Sequence, residues 1–568
     1  MGALRSTFGI RAAVLASAVA LGAAASPATA DPVFVKQGKS WNAAARAEYY
    51  TRDQGSRIIP FAWLKALKAS DGQPFLHDGL ARYGYLPGPN SASSLPLGFM
   101  AVGPAGAQSA AMNCSACHTR QIEVDGKEYR IDGGPALTDF QTLLSDLVGA
   151  VGRILADDAS FATFAAAVPN APADLRQQVS LWYQRENTLM QGALPTGRPW
   201  GLGRLDAVSM IYNRLAALDL GPPPSFMIAE NVQLANAPVR YPFLWNAPKQ
   251  DRTQWPGFAQ NGNDLLARAR NLGQVYGVFG IFRPSNNNGS VDFLGGNSTS
   301  WQGLARLEQM VKKIGPPQWP WPRTKAQEKL AAKGKAIYER ADWRQGGCAG
   351  CHGIKSGPIR PILNFTWATP LCDIGTDTRQ YGILGRQAKT GVLQGSRRPF
   401  GQPMGDEAGA LDLLGVSVVG SIFQEIFGFS IFSYEDVTTP PPAAAKDLLS
   451  AYSPPTTELC GDLAGPKKYE SRVMQGIWAT APYLHNGSVP TLADLLKKPE
   501  DRPPSFALGN RYDTVLVGLA RDQSGSWGNR ETTGCADLDS GNSRCGHDFG
   551  TDLGDAEKAA LLEYLKIL

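Results

Sequence analysis

Two pentapeptides in this chain have the residue types and spacing of a single chemistry: Cys114-Ser-Ala-Cys117-His118 and Cys348-Ala-Gly-Cys351-His352. A Cys-x-x-Cys-His run is the attachment signature of c-type haem. Each thiol adds to one vinyl group, the two-residue spacer turns both sulfurs toward the porphyrin, and the adjacent imidazole becomes the proximal ligand of the iron. The sequence therefore predicts two covalent haem c groups per chain, tethered by Cys114, Cys117, Cys348 and Cys351, with His118 and His352 on the irons. Other uses of Cys-x-x-Cys, a zinc knuckle or a thioredoxin-like redox pair, need further Cys or His nearby or a βαβ setting. Neither is evident.

What stands opposite each proximal histidine decides function, because a six-coordinate haem passes electrons whereas an open one binds oxygen or peroxide. Three histidines remain: His77, His485 and His547. His547 lies in Cys545-Gly-His547-Asp-Phe-Gly, where a disulfide would clamp the loop, and it is the first choice of ligand to the second iron. His485, in Tyr483-Leu-His485-Asn-Gly, is the second choice and fits equally a donor near a haem propionate. Met474, or no ligand at all, completes the alternatives. His77, in Phe75-Leu-His77-Asp-Gly, has the setting of a loop residue and is the main rival to an open first haem. The segment Tyr241-Pro-Phe243-Leu-Trp245, with Trp255-Pro-Gly-Phe258 after it, is aromatic instead. Such a cluster is either plain core or the wall of an apolar pocket that admits oxygen and a hydrophobic substrate.

The elements that must position these groups begin after an apparent leader. Arg5 and Arg11 flank the start of an apolar run from Ala12 to Ala25, and Ala28-Thr29-Ala30 has the form of a cleavage site. A signal peptide over 1–30 predicts a periplasmic or secreted protein. Cys372, Cys460, Cys535 and Cys545 then predict two disulfides, with Cys535–Cys545 favoured for closeness and Cys372–Cys460 left over. No eighteen consecutive apolar residues follow the leader, since 411–432 is broken by Gly, Ser, Gln and Glu, so no membrane span is expected. The net charge of +5 comes without a long Lys/Arg run, which gives nucleic-acid binding no support.

Sixty-two Gly and forty-one Pro imply long, turn-rich loops. The run Gly315-Pro-Pro-Gln-Trp-Pro-Trp-Pro322 cannot continue a helix and reads as a linker over 315–323. Thr324-x-x-Gln327 then has the form of a capping box opening a helix to about Arg340, which leads into the second haem motif. Asp555 can cap a last helix whose Leu561, Leu565 and Leu568 share a face. The expected fold is mainly α: two cytochrome c-like haem domains with long loop-rich insertions, an elaborated one over 31–314 and a second over 324–568.

Trp478-Ala-Thr-Ala-Pro-Tyr-Leu-His485-Asn-Gly, after two haem motifs, resembles the bacterial di-haem cytochrome c peroxidase superfamily over most of the mature chain. Ile131-Asp-Gly-Gly-Pro135, Gly203-Arg-Leu-Asp206, Tyr241-Pro-Phe243-Leu-Trp245 and Gly546-His547-Asp-Phe-Gly550 are similar to the branch with the di-haem rubber oxygenases and related fatty-acid dioxygenases. The resemblance implies that His547 completes a bis-histidine second haem and that the first haem is the oxygen site. In the oxygenases a Phe covers the open face and a Trp lies between the haems, which makes Phe258 and Trp245 the candidates here. It implies an exported dioxygenase acting on an apolar small molecule or polymer, such as an unsaturated fatty acid or polyisoprene. The alternatives are a peroxidase, taking hydrogen peroxide and electrons from a small donor cytochrome, and an electron-transfer cytochrome. Peroxidases need an acid and an amide at the open haem, for which Glu186 and Gln191 are the only candidates noted.

Overall fold

The structure, a computed structural model, describes residues 31–88, 95–195, 197–287, 290–360, 364–396, 403–428, 460, 463, 465–523 and 527–568. Residues 1–30, expected to be a leader, and the triple proline at 440–442 lie outside the described residues.

The expectation of a mainly α protein is corrected: helix makes up 38% of the structure and strand 17%. Among the described residues the strands form two three-stranded and eight two-stranded sheets, each only a few residues long. Glycine and proline break the chain into loops, and loops folded against a core must still pair their buried amides and carbonyls. Short ladders such as Gln387–Lys389 with Glu407–Gly409 do that. Helical periodicity gives no warning of them.

The part expected to be cytochrome c-like is framed by two helices. Lys325–Tyr338 opens on the expected capping box: Thr324 Oγ1 accepts the Gln327 amide at 3.2 Å, and Gln327 Oε1 accepts the Thr324 amide at 2.8 Å. The last helix, Asp555–Leu565, starts one residue earlier than a cap at Asp555 would place it; Gly554 is the N-cap and its amide donates to Glu557. The two helices cross at Gly334, where any Cβ would lie 2.0 Å from the carbonyl oxygen of Ala560. Tyr338 meets the edge of Tyr564, with Ile337, Leu561 and Leu565 buried alongside.

Among the described residues three large cores, with a small fourth of Val239, Trp255 and Tyr469, hold the rest. The first packs the helices Phe140–Leu155 and Leu175–Ala193 with Trp63, Phe75 and Trp200. The second joins Val35, Trp41 and Tyr49 to Ile337, Trp478, Tyr512 and Leu561, so it draws on residues before and after the proline run. That run is pinned in place: Gln318 N donates to Lys36 O at 2.9 Å, and Trp478 Nε1 donates to Pro317 O at 2.9 Å. The third core gathers Ala207–Tyr212, Asp264–Gly277 and Ala410–Phe427. Ala410–Phe427 is long and apolar enough to cross a bilayer by length and composition, with mean hydropathy 1.5. Its Leu413, Val418, Ile422 and Phe423 are nevertheless buried against protein.

Candidate functional site

Each haem motif is a single helical turn that presents a half-buried histidine. In the first, Asn113 caps Cys114–Cys117 by accepting the Ser115 amide, and His118 follows as the C-cap. In the second, Ala349–His352 is the turn. His118 Nδ1 donates to Pro242 O at 2.9 Å, and His352 Nδ1 donates to Arg472 O at 2.8 Å. A carbonyl holding Nδ1–H fixes the tautomer and leaves the Nε2 lone pair free, as a metal-binding histidine requires. Burial lowers both imidazoles, His118 to about 4, so both stay neutral.

The cysteines divide as expected. Cys372–Cys460 and Cys535–Cys545 are disulfides, while Cys114, Cys117, Cys348 and Cys351 are free. Burial pushes the thiols of Cys114 and Cys348 up to about 11 and that of Cys117 up to about 12. A redox pair or zinc knuckle depends on thiolates stabilised by positive surroundings, and here desolvation dominates. Among the described residues, no three His, Cys, Asp or Glu side chains gather as a metal-binding group. A neutral thioether suits these positions.

Opposite His352 stands His547. The ring centroids are 6.1 Å apart, tilted by 42°. Two imidazoles sharing one iron should lie about 6 Å apart by centroid, given roughly 2 Å per metal–nitrogen bond, so the pair fits a bis-histidine haem. The loop that delivers His547 is tightly held. Gly546 and His547 both have left-handed backbone, φ 77° and 54°, and a Cβ on residue 546 would strike the backbone of Gly375 at 2.4 Å. The His547 amide donates to Ile374 O at 2.9 Å. Buried Arg502 ties the loop down by donating to the carbonyls of Arg544, Gly546 and His547. Phe549 packs its ring against His547, and Trp343 meets Phe549 in turn. The Cys535–Cys545 disulfide anchors the entry. Burial and the neighbouring His352 and Arg502 hold His547 down to about 3.

The cleft between the two histidines is walled by Leu492, Leu496, Leu561 and Leu565, with the haem-motif cysteines at its edge. His485 lines the same cleft but stacks on Tyr469, centroids 4.2 Å apart, with Trp255 at its edge. It is buried and lowered to about 3 by desolvation and then by Arg240. His77 is exposed, its Nδ1 bonded to Pro74 O at 2.9 Å. All five histidines are thus placed, and none faces His118; its ring meets Tyr241, edge-on at 5.9 Å.

The structure does not bring Trp245 and Phe258 together. Trp245 is in the second core, stacked on Phe243 and donating Nε1 to Gln475 O at 2.7 Å. Phe258 is buried in the third core with Val208, Ile211 and Tyr212. Phe243, not Trp245, lines the cleft of the second motif, and it directly follows the carbonyl that holds His118. The signal for it was present in the same Tyr-Pro-Phe-Leu-Trp run, but spacing alone favours neither aromatic. Arg472 was missed outright, because a lone arginine carries no motif.

Glu186 and Gln191 do not form an acid–amide pair. Glu186 is buried in a two-pronged ion pair with Arg214, both contacts 2.9 Å, and Gln191 is exposed. The guanidinium of Arg214 lies over Phe279, which fixes the pair further.

Residues 468–507 match the family model described as RoxA-like, cytochrome c-like. This segment carries Tyr469, Glu470, Arg472 and His485, so the match falls on the wall of the cleft just described. It supports a RoxA-like cytochrome family and, through the cytochrome c-like domain, covalent haem c. Among curated proteins, the chain is similar to the uncharacterized protein y4iJ of Sinorhizobium fredii (strain NBRC 101917 / NGR234), 28% identical over 93% of this chain and 92% of that protein. It is also similar to y4iM of the same strain, 26% identical over 50% of this chain and 49% of that protein.

Proposed function

We propose that this protein is an exported di-haem c-type oxidoreductase that inserts dioxygen into an unsaturated hydrocarbon, a polyisoprene or an unsaturated fatty acid. Cys114, Cys117 and His118 would hold the first haem, and Cys348, Cys351, His352 and His547 the second. The haem irons, when bound, supply oxygen binding and electron storage. Two disulfides in one chain support an oxidising compartment.

The carrying observation is the asymmetry between the motifs. His547 faces His352 at 6.1 Å, whereas no second histidine faces His118. The chain's own groups then have defined tasks. The carbonyls of Pro242 and Arg472 hold Nδ1–H of the two proximal rings and so aim Nε2. The Arg502-tied loop keeps His547 in position on the second site. The buried aromatics Tyr241 and Tyr85 crowd the Cys117 edge of the first site and keep it dry. Glu186 is held by Arg214, which counts against it as the acid of the peroxidase alternative.

The test is incubation of the two-haem protein with oleate or polyisoprene under oxygen, with products read by mass spectrometry. Oxygenated or cleaved products support the dioxygenase. Rapid oxidation of reduced cytochrome c by peroxide, with no such products, would replace it with the peroxidase. Two fully ligated irons that react with neither would leave an electron carrier.

A further inference from the structure

Arg472 touches the supports of both haem sites. Its carbonyl oxygen accepts His352 Nδ1–H at 2.8 Å. Its guanidinium lies over the ring of Phe243, 4.1 Å from the centroid, and Phe243 is joined to Pro242, whose carbonyl accepts His118 Nδ1–H. One side chain therefore braces the residue that aims the first proximal histidine, while its own backbone aims the second.

The same guanidinium is incompletely partnered. Nε donates to Gln250 Oε1 at 3.3 Å and stands 3.6 Å from Glu470 Oε1, while Nη1 is buried without a partner. Arg472 lines the cleft between His352 and His547, and among the described residues the other charged side chains lining it are Arg240 and Glu470. Arg240 is occupied, donating to the carbonyls of Leu484 and Thr480 with its face on Trp255. Two arginines against one glutamate leave a surplus positive charge in an apolar cleft. A buried guanidinium with one nitrogen left without a partner is costly and suits a further anion.

Resting on the di-haem reading above, we propose that Arg472 is a positioning residue that binds a carboxylate of the second haem through Nη1 and couples the two haem sites through Phe243. Its fixed positive charge stabilises the reduced, less positive form of the second haem and raises that midpoint potential. Its planar face holds Phe243, and with it the Pro242 carbonyl, in register with His118. A lysine would retain the charge but not the flat stacking face.

The wild-type protein is first assayed by pyridine haemochrome and electron paramagnetic resonance. Fewer than two haems, or no low-spin bis-histidine signal, would sink the underlying reading and not this inference alone. Spectroelectrochemistry on the two-haem protein then compares Arg472→Gln with Arg472→Lys. Arg472→Gln is expected to lower the potential of the low-spin haem and to shift the paramagnetic signal of the other. Arg472→Lys should keep the potential and reproduce the shift. Wild-type values at both centres in Arg472→Gln would overturn the proposal, as would a potential in Arg472→Lys that falls as far as in Arg472→Gln. Should Arg472→Gln fail to retain both haems, Phe243→Leu decides: the first haem's signal must move while the second haem's potential stays, and an unmoved signal overturns the coupling.

Discussion

His547, the proposed second ligand, is delivered by an unusual backbone. Its left-handed φ of 54° and the glycine before it turn the ring toward His352. Replacing it with alanine is expected to convert the second haem from low to high spin, with the first nearly unchanged, in visible and electron paramagnetic resonance spectra. An unaltered low-spin fraction would reassign the ligand. His485 has a different consequence. Burial, and then Arg240, lowers it to about 3, whereas an unfolded histidine titrates near about 6.5. Between those values the unfolded chain binds a proton that the folded chain refuses, so stability falls as pH drops through the window. His485→Phe retains a ring against Tyr469 and removes the titration. Urea unfolding from pH 7 to 4 should then show a shallower loss of stability than the parent; an equal loss would place the acid sensitivity elsewhere. The two Cys-x-x-Cys-His histidines could be singled out because covalent haem chemistry fixes residue type and spacing together. Phe243 and Arg472 were not, because their roles arise from contacts between segments far apart in sequence, and no local pattern encodes those.

At the scale of elements, the crossing of Lys325–Tyr338 with Asp555–Leu565 depends on Gly334. A methyl there meets the Ala560 backbone at 2.0 Å. Overpacking of this kind costs about 1–3 kcal/mol, more than the ~1 kcal/mol a helix gains when alanine replaces glycine. Gly334→Ala should therefore destabilise the protein in denaturant titrations, and a neutral or stabilised variant would show that the helices can part without loss. Both helices were readable from sequence through the Thr324–Gln327 capping box and the leucine spacing of the last helix. The small sheets were not. A ladder of two or three residues, such as Tyr512–Asp513 with Gly518–Leu519, is too short to show an alternating pattern, and its strands form only because the loop is folded against a core.

For the whole molecule, the two disulfides divide the work of stability and site geometry. Cys372–Cys460 spans a sequence separation of 88 and Cys535–Cys545 one of 10. Chain-entropy reasoning assigns the long loop about 4–5 kcal/mol and the short one about 2–3 kcal/mol. The double serine variant of the first pair should lower the unfolding midpoint more. The double serine variant of the second should disturb the low-spin spectrum more, because its loop carries His547. The reverse ranking would contradict the clamp. The second histidine of this pair also comes from the far end of the polypeptide. A chain emerging from its amino terminus presents Cys348–His352 long before 545–550 can reach it, so a cofactor-attaching machine would meet one face of the pocket still open. On the proposed ligation, closure by His547 would be the final act of maturation, and a chain lacking 545–550 could carry its pigment yet never close over it.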